Sequence, residues 1–113
     1  MSRTIRDYLE DMLSSAKEVI EFTKGMEFQN FRQDRKTINA TLRSLEVMGE
    51  AAKKIPEQIR VKYPTVPWRD IAGMRDKLIH EYHGVDLNII WKTIQEEIPP
   101  LIPVLEAVLR EAT

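Results

Sequence analysis

Both histidines of the chain fall in one short stretch, Arg75-Asp76-Lys77-Leu78-Ile79-His80-Glu81-Tyr82-His83, alongside an arginine, an aspartate, a lysine and a tyrosine. These residue types suit metal-free phosphodiester chemistry on RNA. An imidazole with an ordinary pKa of about 6.5 can move a proton near neutral pH. A guanidinium, always charged, offers phosphate a bidentate fork as charge develops on it. His80 is the candidate for the first task and Arg75 for the second. Their spacing sets a geometric condition. Five residues on a regular helix amount to about 140° of rotation, so the two do not share a narrow face, whereas Arg75 and Tyr82 lie only about 20° apart. Either the long arginine bends round the helix, or two copies of the helix meet across a two-fold axis and pool their groups. The spacing favours the second arrangement.

The same residues also fit quieter roles. Histidine and arginine gather in the last turn of helices because the dipole favours them there, and Tyr82 can sit at a core edge with its hydroxyl in water. His80 and His83, three apart, could share an ion with Asp76 or Glu81. No third ligand is evident and the HExxH spacing is missing, so no metal is expected. Glu46 with Glu50, and Glu96 with Glu97, read as helix-surface charges rather than acid–base pairs. Ser14 and Ser15 have no histidine near them in sequence.

The elements that must hold this stretch are helices. Ile5, Leu9, Met12, Ala16 and Val19 draw one apolar stripe at three- and four-residue steps, ended by Gly25. Ile38, Leu42, Leu45, Met48, Ala52 and Ile55 draw a second, closed by Pro56. Gly49 within it costs about 1 kcal/mol of helix propensity against alanine, which predicts a close helix approach there. A short helix fits around 57–62. A third long helix starts after Pro67, carries Trp68, Ile71, Met74 and Leu78, and ends at Gly84. Asp86 is a fitting N-cap for a fourth. Pro99, Pro100 and Pro103 predict a break or kink before a last short stripe through Leu101, Leu105, Val108 and Leu109. No segment alternates with period two over strand length. The expectation is an all-α bundle of four to five helices, one domain spanning 1–113.

Composition narrows the chemistry. The 113 residues include no cysteine and four glycines, which excludes disulfides, thiolate sites and glycine-rich phosphate loops. No apolar run is long enough to span a membrane and the first residues lack a signal-type apolar stretch, so a cytoplasmic location with no membrane partner is expected. The formal net charge of −1 hides an asymmetry: Arg32 to Lys77 holds 11 basic and 6 acidic residues, and the remainder 6 and 12. A basic face of that kind suits RNA or phosphate, although segregated helix-surface charge gives the same count.

Arg75-x-x-x-x-His80-x-Tyr82 resembles the signature of the HepT-type toxins of the HEPN superfamily. LEVMGEAAKK at 45–54, VPWRDIAGMRD at 66–76 and HGVDLNIIW at 83–91 resemble that family too, so the likeness covers essentially the whole chain. It implies a HEPN-like helical bundle that forms a homodimer with a composite cleft. It implies a metal-independent ribonuclease needing no cofactor, the toxin of a pair whose antitoxin is a minimal nucleotidyltransferase (MNT). Arg75 and His80 would be catalytic, Asp76 would fill the supporting polar place after the arginine, and Tyr82 would be the residue that the antitoxin modifies with AMP. The competing expectation is a non-catalytic helical dimer that binds a nucleotidyltransferase partner or nucleotides.

Overall fold

The computed structural model describes residues 2–80 and 84–113; Tyr82 and His83, singled out above, lie outside the described residues, as does Glu81. All regular structure in the described residues is helical. Helix α1 (Ile5–Thr23) opens on a reciprocal cap: the Asp7 amide donates to Thr4 Oγ1 at 3.1 Å and the Thr4 amide donates to the Asp7 carboxylate at 2.8 Å. It gives way to Gly25, whose φ of +78° is the left-handed conformation glycine adopts without strain. The short helix α2 (Phe28–Gln33) follows, and Asp34 then caps α3 (Arg35–Lys53) by accepting from the Thr37 amide at 3.0 Å. Helix α4 (Glu57–Lys62) occupies the predicted place. Its Arg60 donates to the carbonyls of Ala52 at 2.8 Å and Ile55 at 3.0 Å, fastening α4 to the C-terminal end of α3. Then come α5 (Trp68–His80) and α6 (Leu87–Lys92), the latter capped by Asp86 as expected.

The prolines near the C-terminus do not break the chain. Residues Thr93–Glu97 wind as a π turn and run directly into α7 (Ile98–Ala112), which continues through Pro103. Of the break or kink expected there, a break does not occur, although a proline ring inside a regular α-helix collides with the carbonyl four residues back. A π turn widens the backbone just before Pro99 and Pro100, with the Ile98 amide reaching back to the Thr93 carbonyl, which makes room for both rings. The all-α expectation therefore holds, with four long helices forming the bundle and three of six residues at its corners. Of these, α2 was not anticipated. It is held by Phe31, fully buried, with its ring 5.1 Å from that of Trp91.

Helix α3 is the centre of the bundle, with α1 against one side and α5 against another, while α7 packs on α1. The core runs through Met12 and Val19 of α1, Leu45 and Met48 of α3, Ile71 and Leu78 of α5, and Leu105 and Val108 of α7. Where α3 crosses α5, Gly49 is buried against Arg75. A Cβ at position 49 would fall 2.2 Å from Arg75 Cβ and 2.9 Å from the Ile71 carbonyl oxygen. Neither atom is the free end of a side chain, so no rotamer change relieves the clash. Replacing this glycine by alanine gains about 1 kcal/mol of helix propensity, but overpacking at such a contact costs about 1–3 kcal/mol, and a 2.2 Å approach belongs at the high end. Gly49→Ala should therefore lower stability by about 1–2 kcal/mol, read as a fall in Tm of several degrees. A variant at least as stable as the wild type would show that the crossing is looser than this.

Candidate active site

Arg75 projects from the middle of α5 with its stem on Gly49. Its side chain is 30% exposed, with Nε buried and the rest of the guanidinium reaching the surface. Two carboxylates hold it. Nε lies 3.0 Å from Oε2 of Glu50, a close charge contact without the alignment of a hydrogen bond, and Nη1 donates to Oδ1 of Asp76 at 3.3 Å. The same Asp76 oxygen accepts from the Lys53 ammonium. Glu50, Arg75, Asp76 and Lys53 thus form a row of alternating charge across the α3–α5 crossing.

That row is about orientation more than stability. Partly exposed ion pairs contribute about 0–1 kcal/mol each, but a guanidinium gripped at Nε and at Nη1 has little freedom left to turn. The Lys53 hydrogen bond, and after it the one from Arg75, hold the Asp76 carboxyl below the ordinary aspartate value of 3.8 despite some desolvation. Because the folded value is depressed, the carboxylate's contribution to folding is present above the ordinary value and is lost as pH falls through the lowered one.

The structure brings Arg75 and Asp76 together and leaves His80 apart from them. His80 is exposed at the end of α5 and makes no hydrogen bond or ion pair among the described residues. A groove of about 320 Å³ beside Arg75 is lined by Tyr8, Arg43, Glu50 and Ile79 among others, and His80 is not part of it. The 140° separation expected from the spacing is what α5 displays. A larger apolar cavity of about 570 Å³ lies elsewhere on α5, between Gly73, Met74 and Leu78 and the residues Val85, Ile89 and Ile90, and it contains neither Arg75 nor His80. Among the described residues, no three histidine, aspartate or glutamate side chains are grouped to hold a metal ion.

Two residues of this site were not identified from sequence. Glu50 was read as a surface charge, and Lys53 was not singled out. The available signal is their position: on α3 they lie about 60° apart in the turn that follows Gly49, where a close approach is expected. Glu46 lines the groove beside Arg75 and faces Arg43 at 3.8 Å.

A family model described as Ribonuclease HepT-like matches residues 12–108. Among curated proteins, the chain is 48% identical to a "Probable ribonuclease HepT" of Thermococcus cleftensis over 101 residues, covering 89% of this chain and 92% of that protein. It is 48% identical to a "Putative RNase" of Caldanaerobacter subterraneus subsp. tengcongensis over 109 residues, 96% of this chain and 97% of the other. It is 45% identical to a "Putative RNase" of Methanocaldococcus jannaschii over 109 residues, 96% and 94% of the two chains. No solved structure matches it.

The charge row is testable by itself. In the wild type the Asp76 carboxyl should titrate below 3.8 in a carboxyl-resolved NMR titration, and Lys53→Met should move it upward, since the lysine is the larger of the two lowering causes. An unchanged titration in Lys53→Met would mean that the ammonium does not hold Asp76 in solution.

Proposed function

This chain belongs to the ribonuclease HepT-like family, and on that premise we propose that it is a metal-independent ribonuclease working through Arg75 and His80. The observation that carries the reading is the grip on Arg75: Glu50 and Asp76 fix the guanidinium at Nε and Nη1, at a surface where an RNA phosphate can approach it. His80 takes the proton from a ribose 2′-hydroxyl as that oxygen attacks the adjacent phosphorus. The bond to the 5′-oxygen breaks and the leaving oxygen takes a proton from solvent water, giving a 2′,3′-cyclic phosphate and a 5′-hydroxyl, while His80 returns its proton to solvent. Arg75 stabilises the charge that gathers on the non-bridging oxygens. Asp76 positions Arg75.

Because His80 lies round the helix from Arg75, the reading includes a homodimer in which the two copies of α5 border one cleft and each site draws its groups from both. It also includes the pairing of toxin and MNT antitoxin. Addition of AMP to the Tyr82 hydroxyl would add an anionic group to the same sequence motif as Arg75, to compete with the RNA phosphate for the guanidinium.

A single-stranded RNA digest in EDTA tests this reading. The wild type should cut RNA, and DNA should survive because it lacks the attacking hydroxyl. His80→Ala should fall by about 10²–10⁴-fold, and Arg75→Lys should also fail, because an ammonium cannot reproduce the fork. Loss of activity in EDTA, cutting of DNA, or full activity in His80→Ala would refute the mechanism and favour the non-catalytic binding module. In a second arm, the protein is first incubated with the nucleotidyltransferase, ATP and Mg²⁺. Intact mass should rise by AMP units in the wild type and not in Tyr82→Phe, with cleavage falling in parallel; equal modification of both would exclude Tyr82 as the switch.

A further inference from the structure

A second groove, of about 240 Å³, lies at the corner where α2 meets α3. Its floor is apolar, built from Ile38 and Leu42 of α3 with Val85 and Leu87 of the segment that follows the Arg75–His83 stretch. Its rim carries Arg32, Arg35 and the amide of Asn39, and no acidic residue lines it. We infer that this groove is a nucleotide-binding subsite for single-stranded RNA, taking a base on its apolar floor and the neighbouring phosphate on Arg32 and Arg35. The inference rests on the ribonuclease reading and extends it to how the substrate strand is held away from the bond that is cut.

Charge distinguishes this groove from the one beside Arg75. There, Arg3, Arg43 and Arg75 are each matched to a carboxylate, at 2.5 Å from Asp11, 3.8 Å from Glu46 and 3.0 Å from Glu50. Arg32 and Arg35 are exposed and make no ion pair among the described residues, and Lys36 beside them is in the same state. The carboxylate between the two arginines, Asp34, is turned into the helix cap. Its oxygens accept from the Thr37 amide at 3.0 Å and the Thr37 hydroxyl at 2.9 Å, which leaves the two guanidiniums without a competing anion. Guanidinium planes and apolar surface are what unstacked bases lie against, and every base has a face to offer, so such a subsite grips a strand with little regard to sequence.

Position supplies the link to the reactive residues. Arg35, Asn39, Arg43, Glu46 and Glu50 fall within about 80° on α3, one polar stripe leading from the groove to the carboxylate that grips Arg75. Fifteen residues of helix from Arg35 to Glu50 span about 22 Å. At about 3.4 Å per stacked nucleotide, and up to about twice that for an unstacked strand, this is about three to six nucleotide steps. A strand of about a dozen nucleotides reaches both places, whereas a trinucleotide at Arg75 cannot reach the groove.

Length dependence makes the test specific. Binding of a fluorescein-labelled 12-nucleotide single-stranded RNA is measured by anisotropy on His80→Ala protein, with and without Arg32→Ala and Arg35→Ala. Cleavage of a 12-mer and of a trinucleotide is measured on the two arginine substitutions in the His80 background. Loss of two phosphate contacts should weaken 12-mer binding about tenfold and reduce the slope of log K against log salt by about 1.4. KM for the 12-mer should rise about tenfold, while trinucleotide cleavage stays at the wild-type rate. Unchanged 12-mer affinity and salt slope would overturn the subsite while leaving the ribonuclease reading intact. So would an equal loss on both substrates, or a change of oligomeric state on sedimentation, which would make the groove a contact between copies. A groove-dependent RNA affinity in a wild-type protein that cuts nothing would instead retain the subsite and remove the ribonuclease reading.

Discussion

A side chain at position 49 would have to occupy the space that Arg75 Cβ fills, 2.2 Å away, so the crossing of α3 and α5 depends on glycine there. Much of what makes Arg75 usable follows from that proximity. The stem of Arg75 runs along the bare backbone of α3, which places its guanidinium level with Glu50, the next residue on that helix, and Asp76 level with Lys53 one turn further on. Were the helices pushed apart by a methyl group, the 3.0 Å approach of Glu50 to Nε would lengthen and the grip on the guanidinium would open. Burial of Leu45, Met48, Ile71 and Leu78 holds the helices together; the missing Cβ sets how closely.

The site that results is a held cation rather than a deep pocket. Arg75 is partly exposed, and its ion pairs are worth too little to count as a source of stability. Their effect is to give a flexible side chain a fixed direction, which is what the role proposed for it at an RNA phosphate requires. Lys53 acts one step further back, by holding the Asp76 carboxylate in place. The larger apolar cavity, by contrast, contains neither Arg75 nor His80.

Much of this was legible in the sequence, for reasons that can be named. The long helices α1, α3 and α5 each bury one stripe, so their periodicity is plain, and Gly25 and Asp86 sit where backbone groups need a left-handed turn or a cap. The helical cost of Gly49 pointed to a close contact that the α3–α5 crossing contains. Helix α2 escaped because six residues give too few turns for a period, and its anchor, Phe31 on Trp91, joins residues sixty apart. The direct run into α7 past Pro99 and Pro100 escaped because a π turn leaves no pattern in residue types; it answers a steric need that only the continuous backbone shows. Glu50 and Lys53 look like surface charges along α3, and only their partners on α5 give them a role. Tyr82 rests on the family signature alone, since it lies outside the described residues.

Arg75 and His80 sit on different sides of one helix, so the central claim is that each reactive site takes its arginine from one copy of the chain and its histidine from the other. Co-expressing Arg75→Ala and His80→Ala chains and measuring RNA cleavage by the mixed dimer tests it most directly. In a shared cleft, one of the two sites in each mixed dimer keeps an intact arginine and an intact histidine. With random pairing, the preparation should therefore recover about a quarter of the wild-type rate, although each variant alone is inactive. If the mixture is as inactive as its components while the mixed dimer forms, both groups must come from the same chain, and the shared cleft is wrong.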